Sequence, residues 1–170
     1  MLISPEYREL NRNQIVNNKN YAVSGHLSRD AIRKLSDWGR KPILDYGCGR
    51  ALLAQSLGPA YKVTNYDPCV PEYDIDPQPH PVVFCGDVLE HIEPDLLHNV
   101  LGHLRSLVSG VGLFRICVVP SSTTLDDGRN AHLIVQPHEW WRERLVEAGF
   151  DITEEKEPKE VKGLTWFVVK

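Results

Sequence analysis

The chain has 170 residues, 42% of them hydrophobic and 25% charged, the make-up of one globular domain with a single sizeable core. A net charge of −4 gives no general attraction to nucleic acid or to an anionic membrane, and no apolar run approaches the roughly 20 residues of a membrane span. No secretory leader pattern opens the chain, and Cys48, Cys69, Cys85 and Cys117 lack C-x-x-C spacing, so reduced thiols and a cytoplasmic location are expected.

Residues 1–27 are polar and asparagine-rich, and read as an arm or lid over a domain formed by residues 28–170. Ser28 is an N-cap for a helix carrying Ala31, Ile32, Leu35 and Trp38, ended by Gly39 and Pro42. The basic residues around it (Arg29, Arg33, Lys34, Arg40 and Lys41) read as a solvated face. Pro42 to Tyr46 is the first strand, Arg50 to Leu57 a helix stopped by Gly58-Pro59, and Tyr61 to Tyr66 the second strand. Pro68, Pro71, Pro77, Pro79 and Pro81 then exclude a helix, since a proline in a helix interior costs about 3 kcal/mol. Val82 to Asp87 is a strand, read as the fourth of its sheet with the third left as an alternative. A helix from Pro94 carries Leu97, Val100, Leu101, Leu104, Leu107 and Val108 at helical spacing, and Ser109-Gly110 closes it. Val111 to Val119 is a buried strand, Pro120 to Gln136 a polar loop, and Pro137 to Gly149 a helix with Trp140 and Trp141 as core and rim. Strands at Asp151–Glu155 and Leu164–Val169 finish a mainly parallel α/β sandwich.

The chemistry gathers at strand ends. Asp45-Tyr46-Gly47-Cys48-Gly49 ends a strand in an acid and two glycines, and Asp67 follows at about the 20-residue distance of a ribose-binding carboxylate. The third glycine of a dinucleotide turn is replaced by Leu52, and no G-x-x-x-x-G-K-[ST] loop exists. An adenosine cofactor without a pyrophosphate fits this pattern, and S-adenosylmethionine is such a cofactor. Paired metal-ligand spacing is absent among Cys69, His80, Cys85 and His91, so no metal site is expected.

These residues resemble the class I S-adenosylmethionine-dependent methyltransferases, in a compact, type 11/12-like form. Asp45 to Gly49 is similar to their first motif, Asn65-Tyr66-Asp67-Pro68 to the second, and Asp87-Val88-Leu89-Glu90-His91-Ile92 to the signature after the fourth strand. The resemblance implies a Rossmann-like sandwich, mostly parallel with helices on both faces and with its last strand antiparallel; the proline-rich segment departs from the family pattern and shortens it between strands two and four. The small size and truncated middle also resemble phage-borne methyltransferase-like proteins.

It further implies cofactor contacts at Asp45, Tyr46, Gly47, Cys48, Gly49, Asp67, Pro68, Asp87 and Val88, with Tyr21 and Gly25 closing over the methionine moiety. The usual acid at the end of the third strand has no separate counterpart here. Catalytic candidates are His132 and Arg129, in the loop where acceptor-contacting residues sit, and His91, commonly a cofactor-facing residue. Arg129 offers a bidentate clamp for an anionic acceptor. The expected function is methyl transfer to a small molecule or a nucleotide-like metabolite; the alternative is a non-catalytic cofactor-binding or interaction module on a degenerate fold. The Asn/Asp-Pro-Pro-aromatic motif of amino-DNA methyltransferases is absent, and the only Pro-Cys step, Pro68-Cys69, follows the second strand, so a nucleic-acid acceptor is weakened without being excluded.

Overall fold

Strands β1 (Ile43–Tyr46), β2 (Val63–Tyr66), β3 (His80–Gly86) and β4 (Val108–Cys117) run parallel, while β6 (Leu164–Val169) lies antiparallel between β4 and β5 (Ile152–Lys156). The sheet order in this computed structural model, which describes residues 1–23, 29–156 and 163–170, is β2-β1-β3-β4-β6-β5. Gly25 and the helix cap expected at Ser28 lie outside the described residues.

That order decides the open question about Val82 to Asp87. A third strand of a Rossmann-type sheet sits beyond the second, whereas β3 lies on the other side of β1, in the fourth position. Residues 67–79 hold turns and bends, with no helix or strand, as their prolines dictate. The last strand is antiparallel, as the resemblance implies.

Helices α1 (Pro5–Asn17), α2 (Arg29–Asp37), α3 (Leu53–Leu57), α4 (Leu97–Leu107) and α5 (His138–Glu147) flank the sheet. On one face α2 and α3 bury Ala31, Leu35 and Leu53 against Ile43, Val82 and Phe84. On the other, α4 buries Leu97, Val100, Leu101, Leu104 and Leu107, a run at helical spacing, against Leu44, Val83 and Phe114. Trp141 and Leu145 of α5 join that core fully buried, while Trp140 stays partly exposed and meets Trp141 edge to face at 5.0 Å.

Among the differences from expectation, two boundaries and one helix stand out. Ser109 and Gly110 do not close α4; they already belong to β4, where a Cβ on Gly110 would come within 2.5 Å of the Pro81 carbonyl oxygen. Helix α3 starts at Leu53 rather than Arg50, because Gly49 and Ala51 both take positive φ and Arg50 is committed elsewhere. Its guanidinium donates to the carbonyls of Tyr21 (3.1 Å), Asn18 (3.1 Å) and Ile15, tying the amino-terminal segment to the glycine turn. That segment contains α1, which its polar composition concealed. Ser4 caps the helix, its Oγ accepting from the Tyr7 N–H at 3.2 Å, and Pro5 takes the first turn.

Candidate functional site

The parallel strands β1, β2, β3 and β4 deliver their carboxyl ends to one edge of the sheet, and a cavity of about 580 Å³ opens there. Its roof is α1 and the segment after it, through Tyr7, Asn11 and Tyr21. A volume of this size suits a ligand of cofactor dimensions.

The floor begins at the glycine turn. Gly47 has φ +73°, and a Cβ there would lie 2.4 Å from a methyl of Val88; on Gly49, at φ +51°, it would lie 2.6 Å from the Ala22 Cβ. Both positions therefore require glycine on backbone and packing grounds. The turn is fastened to β2 by the N–H groups of Gly47 and Cys48, which donate to the Tyr66 carbonyl at 2.7 and 3.1 Å.

Asp67 binds the same turn. Its Oδ2 accepts from the Gly49 N–H at 2.9 Å and its Oδ1 from the Cys69 N–H at 2.8 Å. A carboxylate has about four acceptor sites, so each oxygen keeps capacity toward the cavity. Burial raises the Asp67 pKa, and the two backbone hydrogen bonds oppose that rise. Asp45, buried behind the turn, has its pKa lifted to about 7, first by burial and then by the Asp67 charge. It does not line the cavity, and neither does Cys48.

The opposite wall is built from β3, β4 and the loops that follow them. Asp87 holds φ +55° with its N–H on the Arg115 carbonyl at 2.8 Å. Its carboxylate takes the Arg115 guanidinium in a two-point ion pair, Nε to Oδ1 at 3.2 Å and Nη2 to Oδ2. Glu90 is fully buried. Its Oε1 accepts from the Cys117 N–H at 2.9 Å, and its Oε2 has no hydrogen-bond partner. Burial, and next the Asp87 charge, push the Glu90 carboxyl well above the usual carboxylate range.

His91 lies 3.4 Å through Nδ1 from the Tyr21 hydroxyl, which in turn donates to Asn11 Oδ1 at 2.8 Å. Loss of hydration, and then the neighbouring His132, bring the His91 pKa down to about 3, which makes it a poor proton acceptor at neutral pH. His132 meets His91 edge to face at 4.7 Å and donates from Nδ1 to the Val119 carbonyl at 2.6 Å. A carbonyl can only accept, so in the neutral imidazole of His132 the lone pair lies on Nε2.

Tyr46, Gly47, Gly49, Asp67 and Pro68 thus share one cavity with Asp87 and Val88 and with Tyr21, His91 and His132. Arg129 is not among them. It is half-exposed, paired with Asp127 at 2.7 Å, and its guanidinium lies over the outer side of the Tyr7 ring at 5.3 Å. The anion clamp expected of it is replaced by a local turn contact.

Glu90, Arg115 and Cys117 line the cavity without having been singled out from the sequence. Arg115 had a visible signal as the lone charge in the apolar run Val111 to Val119. Glu90, between apolar Leu89 and Ile92, had a fainter one. A second cleft of about 760 Å³, between α4 and α5 and lined by Leu97, Leu101 and Trp140, contains none of the motif residues. Among the described residues no helix is long and apolar enough to cross a membrane.

No protein-family model matches the chain, and no curated protein matches it in sequence. Solved structures do match in fold. The 1,6-didemethyltoxoflavin-N1-methyltransferase of Burkholderia thailandensis, with 1,6-didemethyltoxoflavin and S-adenosylhomocysteine bound, superposes with a TM-score of 0.63 at 19% identity, over 99% of this chain and 90% of that one. DhpI, in complex with S-adenosylhomocysteine, gives 0.63 at 19% identity over 97% and 93%. The magnesium protoporphyrin IX methyltransferase ChlM of Synechocystis, also with S-adenosylhomocysteine, gives 0.58 at 16% identity over 82% and 79%. This chain therefore has the Rossmann-like fold of the class I S-adenosylmethionine-dependent methyltransferases.

Proposed function

We propose that this chain binds S-adenosylmethionine in the 580 Å³ cavity and transfers its methyl group to a small-molecule acceptor. The observation that carries the reading is Asp67, which is joined to the Gly49 N–H and keeps free acceptor capacity on a carboxylate that lines the cavity. The donor set fits the cofactor: a carboxylate for two ribose hydroxyls, bare glycine backbone beside it, and no phosphate cradle. Solved neighbours in this fold hold S-adenosylhomocysteine, and one also holds a small heterocyclic acceptor, which supports the same assignment.

When bound, the cofactor supplies a sulfonium methyl whose carbon–sulfur electron pair leaves with sulfur, so the chain's own part is mainly positioning. Asp67 and the Gly47–Gly49 turn hold the adenosine end, with Asp45 buried behind them. Tyr21 and His91 flank the cavity where the roof meets the β3 wall, and His91 acts there as a neutral packing and hydrogen-bonding group. His132 faces the acceptor side, with Nε2 ready to receive a proton from an O–H or N–H acceptor or to orient it. Residues 1–23 form the lid part of a 1–27 arm. Its present anchors are Ser4, which donates from N and Oγ to Glu93 at 2.8 and 2.7 Å, and Arg8, paired with Asp74 at 2.9 Å.

One observation favours the cofactor-binding module as a second reading: among the described residues no strand lies outside β2, so none brings a third-strand acid to the adenine side of the cavity. Calorimetric titration with S-adenosylmethionine, S-adenosylhomocysteine and NAD tests both readings. Micromolar binding of the first two alone supports the cofactor assignment, and binding of NAD or of none removes it. Tight binding without turnover across an acceptor panel selects the module.

A further inference from the structure

The β3–β4 wall contains a set of donors that methyl transfer does not by itself require. Glu90, Cys117 and His132 present ligand atoms (a carboxylate oxygen, a thiol sulfur and an imidazole nitrogen) that all lie within 4.8 Å of one another. Zinc bonds of 2.0–2.3 Å to such atoms place tetrahedral neighbours roughly 3.5 Å apart, so small side-chain rotations close the set.

His132 and Glu90 are oriented as ligands need to be, and the Cys117 thiol rests on the Val119 carbonyl at 3.7 Å. The Val119 carbonyl takes the Nδ1 proton of His132, an outer contact of the kind that fixes a ligating imidazole. The Cys117 N–H takes one oxygen of Glu90 and brings that carboxylate beside its own side chain. Independently, the other oxygen, Glu90 Oε2, sits in a fully buried residue without a partner. Leaving such an atom unpaired is costly, and a cation would satisfy it.

We infer that Glu90, Cys117 and His132 form a binding site for one zinc-type transition-metal ion, with its fourth position open to the cavity. Sulfur and imidazole donors select zinc, cobalt or iron over magnesium and calcium. Three protein ligands with a vacant fourth place are the pattern of reactive rather than purely structural zinc. All three residues line the cavity, so the open position faces the space assigned to the acceptor. A hydroxyl taken up there would have its pKa lowered and would release its proton to water. That last use rests on the methyl-transfer reading; the metal site does not. In this arrangement His132 serves as a ligand rather than as a free base.

The test is titration of the chelator-treated full-length protein with Co2+ under reducing conditions, followed by competition with Zn2+. The expected result is one Co2+ per chain, a thiolate-to-cobalt charge-transfer absorption, and its loss on adding Zn2+. Cys117→Ser should abolish that band, and Glu90→Gln should weaken binding beyond the roughly 100-fold seen for lost outer-shell contacts. Both variants should keep the circular dichroism of the parent. Absence of saturable binding, or an unchanged band in Cys117→Ser, overturns the site. S-adenosylmethionine titration of the same samples keeps the two proposals apart: cofactor binding without metal sinks the metal site alone, and metal binding without cofactor sinks the methyl-transfer reading alone.

Discussion

At the β1–β2 end of the cavity the lining acid is held by backbone. Asp67 takes two N–H groups, one from the glycine turn and one two residues along its own loop, and Asp45 sits buried beneath. At the β3–β4 end side chains also hold side chains: Arg115 grips Asp87 and His132 leans on His91, while Glu90 takes the Cys117 N–H with one oxygen only. The first end is a socket whose cavity-lining carboxylate is fixed on both oxygens by backbone before any ligand arrives. The second keeps an unpartnered Glu90 oxygen within a few ångströms of the Cys117 and His132 side chains. A socket of the first kind suits a constant cofactor, and a wall of the second kind suits the group that varies between enzymes of this fold, the acceptor.

The contrast breaks most visibly at Asp67. In the proposed pose Asp67→Ala would remove two charge-assisted hydrogen bonds to the ribose, each about 1.5–3 kcal/mol, so cofactor affinity should drop at least roughly 100-fold by calorimetry. An unchanged dissociation constant would mean that the cofactor lies elsewhere.

Asp45 sharpens it through pH. Its folded pKa of about 7 lies above the roughly 3.9 of an unfolded aspartate, so the native chain binds a proton that the unfolded chain releases. The stability this group contributes is complete below about pH 4 and is lost as pH rises toward about 7. Asp45→Asn should flatten that decline, raising stability at pH 8 relative to the parent by up to about 4 kcal/mol in urea unfolding. Asp67, raised for the same reason, leaves a residual slope of the same sign.

On the other wall, Arg115→Met strands Asp87 beside buried Glu90. Breaking a largely buried pair costs about 3 kcal/mol, read as a lower urea midpoint, and Asp87→Asn in the same chain should recover part of it. The smallest effect belongs to Arg129, whose pair with Asp127 is half-exposed. Arg129→Ala should change stability by under about 1 kcal/mol and leave cofactor affinity unchanged; a large loss of affinity would return it to the site.

The same division governs what could be read from residues alone. Gly47 and Gly49 declare a left-handed turn, the proline series from Pro68 to Pro81 rules out a helix, and the Leu97–Leu107 spacing declares a buried helical face. Each of these is local chemistry, carried by residues a few positions apart, and so is the strand-end acid that follows at Asp67. With them came the α/β class, the shortened middle and the position of the cavity. The α1 helix was masked by polar residues, although Ser4-Pro5-Glu6 marks its start.

The partnerships of the acceptor wall were another matter. Arg115 meets Asp87 and Cys117 meets Glu90 only because β3 and β4 pair with Gly86 opposite Arg115, across 28 and 27 residues of chain. A shift of one residue in that register would turn Arg115 to the opposite face of the sheet. The register is chosen by packing, through Phe84, Phe114 and the helix layers on each side, and by the irregularity between His80 and Val82. Local residue chemistry therefore determined where the motif residues converge, and tertiary packing decided which buried groups face them across the cavity.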